Sequence, residues 1–238
     1  MMRDEEKSGF RRLPLFREMM TPTFDGLMQI AYSQKFPPRM ELIEQGEYAD
    51  FLHILVEGTV ELRAAWNGRE AVMGIVRPVS TFILAACVCD APYLMSARTL
   101  ERSRIVMIPA ADLRAALRRD PDFAVAAMQE LGTGYRTFVR HAKNLKLRNS
   151  RERLAAYILQ QSRLANGLTS MVLPVEKRHL ASYLGMTPEN LSRTVKALEA
   201  DGVRFDGMQV IITDHARLMA VAVADPSMDG PDPESTAG

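Results

Sequence analysis

VEKRHLASYLGMTPENLSRTVKALEADG, residues 175–202, reads as two helices joined by a tight turn. The first helix is expected over Val175–Leu184, with Leu180, Ala181 and Leu184 on one face. Gly185 suits the left-handed position that ends it. Thr187 is a good N-cap for the second helix. Pro188 then takes the first helical position, where a missing N–H costs nothing. Leu191, Val195 and Leu198 share the inward face of that helix.

The polar residues of the second helix carry the chemistry. Glu189, Ser192 and Arg193 share a face near its N-terminus, the end of a recognition helix that reaches base edges in the major groove. Arg can hold guanine O6 and N7 with two parallel bonds, Glu can accept from cytosine N4, and Ser can reach a base or a phosphate. On an ordinary helix, Glu189 and Arg193 would make only a surface ion pair worth about 0.2–0.5 kcal/mol. The turn, the cap and the following segment favour base reading. Asp206-Gly207 in Val203–Ile212 is a hairpin signal between two short apolar runs, so helix, turn, helix and hairpin make a winged helix-turn-helix.

The run HLASYLGMTPENLSR, His179–Arg193, resembles the Crp/Fnr family of bacterial transcription regulators. Its E-x-x-S-R triplet, Glu189, Ser192 and Arg193, is similar to the Fnr, FixK and Dnr branches, whose half-site is TTGA. His179 stands where the family commonly has an acidic residue. The resemblance implies a homodimer on double-stranded DNA at a TTGA-N6-TCAA-type palindrome. Glu189 and Arg193 would read the C·G pair of each half-site. Ser192 would touch the neighbouring thymine or the backbone, and Thr187 and Lys196 are candidates for phosphate contact. RNA polymerase is a partner if the protein is an activator.

The chain has 238 residues, 47% of them hydrophobic, and a net charge of +1, so overall charge does not announce nucleic-acid binding. A local basic stretch does: Arg136, Arg140, Lys143, Lys146, Arg148, Arg151 and Arg153 against Glu152. For each of these residues the competing reading is a solvated helix face. The polar start and the lack of a long apolar run predict no signal peptide and no membrane span. Cys87 and Cys89, one residue apart, do not easily close a disulfide together. The expected setting is a reduced cytoplasm.

Residues 1–12 read as disordered or loosely helical. Leu13–Pro38 reads as short helices stopped by Pro37-Pro38, with Phe16, Met19, Met20, Phe24, Leu27, Met28 and Ile30 inward. Short strands follow at Met40–Glu44, Phe51–Val56, Thr59–Ala65 and Ala71–Val76, with turns at Glu57-Gly58 and Asn67-Gly68. Such spacing suggests a β-sandwich or barrel. Ile43–Leu62 resembles the β-roll of cyclic-nucleotide-binding domains, with Gly46 and Gly58 at its turn glycines. The expected fold class is therefore α+β: a cyclic-nucleotide-binding-like β-roll (jelly roll), a long dimerisation helix and a C-terminal winged helix-turn-helix.

The ligand anchors of that resemblance are missing. Leu84-Ala85 stands where a Gly-Glu pair would hold the ribose, and Met95-Ser96 where Arg-Ser would hold the phosphate. Arg98 would serve only in another register. This speaks against cAMP. A [4Fe–4S] cluster of the Fnr kind is excluded by the missing N-terminal cysteines. Phe82–Met95 is apolar and leaves haem open, as in nitric-oxide sensors similar to Dnr, or a ligand-free activator similar to FixK. Cys87 and Cys89 read as small buried hydrophobes, and His53 as a structural strand histidine.

A helix over Asp112–Arg119 precedes a long one beginning at Asp120-Pro121. Met128, Leu131, Tyr135, Phe138, Ala142 and Leu145 along it form a heptad seam, the sign of a helix pairing with its own copy. Asn149-Ser150 reads as a hinge, followed by a helix to Leu164 with Leu154, Tyr157, Ile158 and Leu164 inward. A short strand at Met171 and a final helix over Asp214–Val223 complete the reader. The expected domains are 1–120 (sensor), 121–148 (dimerisation helix), 149–225 (reader) and 226–238 (disordered tail). No P-loop, G-x-S-x-G, H-E-x-x-H or metal-spaced Cys/His set is present, so nothing motivates an enzyme.

Overall fold

The computed structural model describes residues 4–173 and 175–230, and the chain divides into two compact units, Met1–Gly134 and Tyr135–Gly238. The first unit opens with helices α1 (Asp4–Phe10), α2 (Pro14–Arg17) and α3 (Thr21–Ile30). Phe16, Met19, Phe24, Leu27 and Met28 are buried as expected, whereas Met20 and Ile30 are exposed. The helical reading to Pro37 fails. α3 ends at Ile30 with Ala31 extended, and Tyr32–Phe36 is strand β1. β1 is an edge strand whose Ser33, Gln34 and Lys35 face solvent, so its pairing leaves no apolar alternation to read.

The remaining strands are β2 (Glu41–Ile43), β3 (Phe51–Glu57), β4 (Val60–Trp66), β5 (Arg69–Val76) and β6 (Ser80–Phe82). Helix α4 (Leu84–Cys89) and strands β7 (Ser96–Thr99) and β8 (Ser103–Pro109) follow. They form two four-stranded sheets, β1-β8-β3-β6 and β2-β7-β4-β5, with antiparallel pairing. The Leu52, Ile54, Leu55, Val60, Ile105, Val106 and Ile108 side chains fill the core of this unit. Gly58 is obligatory at its turn. Its φ is +94°, and a Cβ there would lie 2.3 Å from Ser103 Oγ. Asn67-Gly68 makes the two-residue β4–β5 loop, with φ of +49° and +72° as a type I′ turn requires.

Helix α5 (Ala110–Arg119) leads to α6 (Pro121–Leu147), a continuous helix that passes from the first unit into the second. Asp120 is fully buried between them. Its carboxylate caps α6 at Phe123 N (3.0 Å) and accepts from Met20 N (2.8 Å). Phe123 stacks on Phe16 at 6.0 Å.

The second unit continues with α7 (Ser150–Leu164), β9 (Ser170–Val172), α8 (Lys177–Tyr183) and α9 (Pro188–Glu199). The hairpin β10 (Val203–Asp206) and β11 (Gln209–Ile212), helix α10 (His215–Ala222) and a short helix α11 (Pro226–Asp229) complete it. Asn149 and Glu152 form a reciprocal capping box at the start of α7. Leu154, Tyr157 and Ile158 are buried, but Leu164 is exposed at the last turn. The tail expected to be disordered from residue 226 departs at its beginning. Asp225 caps Pro226–Asp229, and Asp229 is pinned to the buried Arg148. Residues 231–238 lie outside the described residues.

Candidate nucleic-acid interface

α8 and α9 pack through Leu180, Ala181 and Leu184 on one side and Leu191, Thr194 and Leu198 on the other. Val195 is only half-buried, and Thr194 takes the central place, with its hydroxyl donating to Asn190 O at 2.8 Å. A threonine satisfied by its own helix can stand in an apolar seam, which periodicity alone does not reveal. Gly185 has φ +63°, and a Cβ there would come within 3.0 Å of Leu145 Cδ2, so the turn and α6 approach closely. Thr187 caps α9 by accepting from Asn190 N at 3.2 Å.

Glu189, Ser192, Arg193, Thr187 and Lys196 are all exposed on α9 or its cap. Glu189 is held below the ordinary carboxylate range, first by its own backbone N–H, then by the Thr187 hydroxyl, and least by Arg193. Its carboxylate thus turns over the positive end of α9. Ser192 donates to Pro188 O at 3.0 Å, which leaves its oxygen able to accept. Asn190, which sequence reasoning passed over, faces inward and donates to Ser150 Oγ at 3.1 Å, tying α9 to the start of α7. The wing pairs Val203↔Ile212 to Asp206↔Gln209 and gains β9 as a third strand.

The basic stretch does not act as one patch. Arg148 is buried and forks onto Asp229; Arg151 forks onto Asp201; Arg153 donates to Arg148 O at 2.6 Å; Lys143 donates to Ser227 Oγ at 2.7 Å. These four brace the unit internally. Arg136 and Lys146 are exposed.

In the first unit the region that would hold a cyclic nucleotide is uncharged at its two anchors. The first turn of α4 has no acidic residue, and Leu84 is buried. Arg98, the one guanidinium beside it in sequence, lies on β7 directly across from Glu61 and pairs with that buried carboxylate at 2.9 Å. These residues do not fit a cyclic phosphate. Cys87 is buried and its thiol donates to Phe51 O at 3.2 Å; burial pushes its pKa up to about 11, so it is protonated and inert. Cys89, expected to be buried, is exposed at the end of α4. His53 is buried, 5.2 Å from the Phe82 ring, with Nδ1 lacking a hydrogen-bond partner; burial lowers its pKa to about 4. Among the described residues no group of three or more His, Cys, Asp or Glu could hold a metal ion.

Along α6, Met128, Tyr135 and Phe138 are more than half exposed, and Leu145 is exposed as well. Leu131 differs from the seam reading, since it packs partly onto the core of its own unit. Nothing lies within 4 Å of a Cβ built at Gly132 or Gly134, so neither glycine answers a close approach within the chain.

Two family models match: a cyclic nucleotide-binding domain over residues 33–120 and a Crp-like helix-turn-helix domain over 152–221. The chain is 27% identical over 224 residues to the transcriptional activator protein FnrL of Cereibacter sphaeroides, covering 84% of each. It is 24% identical over 173 residues to the nitrogen fixation regulation protein FixK of Azorhizobium caulinodans, covering 70% of this chain and 68% of that protein. The solved structure of FixK2 from Bradyrhizobium japonicum has the same fold, with a TM-score of 0.73 at 22% identity, covering 82% of this chain and 99% of that one. No helix among the described residues is long and apolar enough to cross a membrane.

Proposed function

We propose that the chain is a transcription regulator of the Crp/Fnr family that acts as a homodimer on a TTGA-N6-TCAA-type palindrome without cAMP. The observation that carries this reading is the exposed Glu189, Ser192 and Arg193 face on a capped, buried-backed α9. Glu189 and Arg193 read the C·G pair of the half-site, Ser192 reaches the adjoining thymine or backbone, and Thr187 and Lys196 touch phosphates. Two readers enter successive major grooves about 34 Å apart. The second copy pairs through the exposed face of α6 around Met128, Tyr135, Phe138 and Leu145. An RNA polymerase contact and a cytoplasmic setting belong to the same proposal by way of the relatives named as activators.

The ligand-free variant is favoured by the Glu61–Arg98 pair, which leaves no guanidinium for a cyclic phosphate, and by the protonated Cys87 thiol, which is no ready haem ligand. Addition of 1 mM cAMP, a chosen test dose, is expected to leave DNA affinity unchanged in a titration with labelled palindrome. A cAMP requirement would overturn the ligand-free reading while leaving base reading intact.

A further inference from the structure

The second unit contains a cleft of about 390 Å3 that base reading does not use. The lining includes three rings. His141 stacks on Tyr183 at 4.7 Å between centroids, and Tyr157 meets Tyr183 edge-on at 6.1 Å. Burial holds His141 below its ordinary value, so at neutral pH these rings are uncharged. The lining also carries the guanidinium groups of Arg140, Arg148 and Arg163, with Asp229 as the acidic group among them.

Arg148 already holds a carboxylate there. Its Nη1 and Nη2 donate to the two oxygens of Asp229 at 2.9 and 2.5 Å. Arg163 donates to the backbone carbonyl of the same residue. Asp229 comes from α11, one short turn that follows the matched helix-turn-helix domain. The Arg148 side chain is 4% exposed, and its Nε is buried without a hydrogen-bond partner. The guanidinium also donates to Asn144 Oδ1 and to Val223 O, each at 3.2 Å, so the unused Nε–H is the donor left for a ligand beside the uncharged rings.

We propose that this cleft binds a small carboxylate with a flat apolar body, which takes the Arg148 fork in place of Asp229 and lies against the Tyr157, Tyr183 and His141 rings. The site is separate from the recognition face and from the sensor β-roll, so its failure and the failure of base reading are distinguishable. The class follows from two features of one lining: a fork that holds a carboxylate here, and rings that offer area for stacking.

Benzoate is the probe, titrated calorimetrically into the full chain. A Kd on the order of 1 mM is expected for so small a ligand. Asp229→Asn removes the competing charge and should tighten benzoate about tenfold, while Arg163→Gln should weaken it. Benzamide, which keeps the ring and loses the charge, and acetate, which keeps the charge and loses the ring, should each bind about tenfold more weakly than benzoate. The proposal is overturned by no heat of binding with either wild type or Asp229→Asn. Equal binding of benzoate and benzamide, equal binding of benzoate and acetate, or an affinity indifferent to Asp229→Asn would overturn it too. A thermal melt of each variant confirms that it is folded before titration.

Discussion

On the proposed reading, Glu189 serves a helix in the free protein and a base in the complex. Its carboxylate rests over the N-terminus of α9, held by its own N–H and the Thr187 hydroxyl. Being fully exposed, it can turn to cytosine N4 at small cost. Arg193 has no such double duty. Arg193→Ala should cost about 1–3 kcal/mol on the palindrome and flatten the preference at the guanine. A binding titration against single-base variants that retained the full preference would sink that assignment. Lys196→Ala should instead weaken all sequences alike and reduce the salt slope by about 1, measured between two salt concentrations. In the other unit, His53 links stability to pH. Its folded pKa of about 4 lies below the ordinary value of 6.5 because it is buried. The unfolded chain therefore takes up a proton first, and stability is lost as pH falls from 6.5 towards 4. The loss is about 2 kcal/mol at pH 5. Urea unfolding at pH 7 and pH 5 should show it in the wild type, and His53→Leu should remove that share of it.

At the scale of elements, the proposed dimer rests on α6. Its exposed Tyr135 and Phe138 face solvent on a helix that offers them no neighbour of their own. Tyr135→Glu with Phe138→Glu should give a monomer by sedimentation at micromolar concentration and abolish selective DNA binding, with the melt of each unit retained. A dimer that survives this double variant would place the interface elsewhere. The helix-turn-helix was legible because its information is local: a glycine at the turn, a threonine cap, a proline in the first turn and periodic leucines. The hairpins at Asn67-Gly68 and Asp206-Gly207 were legible for the same reason, although the second loop proves to be Gly207-Met208, with Asp206 paired to Gln209. What failed to show depends on distant partners. β1 is a strand only because β8 lies beside it, and Leu131 is half-buried because the core of its unit reaches it. The braces Arg148–Asp229 and Arg151–Asp201 join residues 81 and 50 positions apart, so a run of basic residues looked like one surface patch. Cys87 and Cys89 read alike in sequence, and only the turn of α4 separates a buried thiol from an exposed one.

At the scale of the whole molecule, one unit carries the cyclic nucleotide-binding match and the other the Crp-like helix-turn-helix match. The cyclic nucleotide-binding family model matches residues 33–120, where Glu61 pairs with Arg98, and the proposed reading has Leu84, Ala85 and Met95 in place of the polar anchors. The proposed recognition face, by contrast, stands exposed on a capped helix in the free chain. On the proposed ligand-free reading, the regulator is competent whenever it is made. The most direct measurement is fluorescence anisotropy of a labelled TTGAT-N4-ATCAA duplex with the purified protein, in air, with no ligand added and the salt concentration fixed. A scrambled duplex serves as the control. Tight binding is expected, with the palindrome preferred by about a thousandfold. Weak binding that treats the two duplexes alike would contradict it, and would mean that an effector must first assemble the reading dimer.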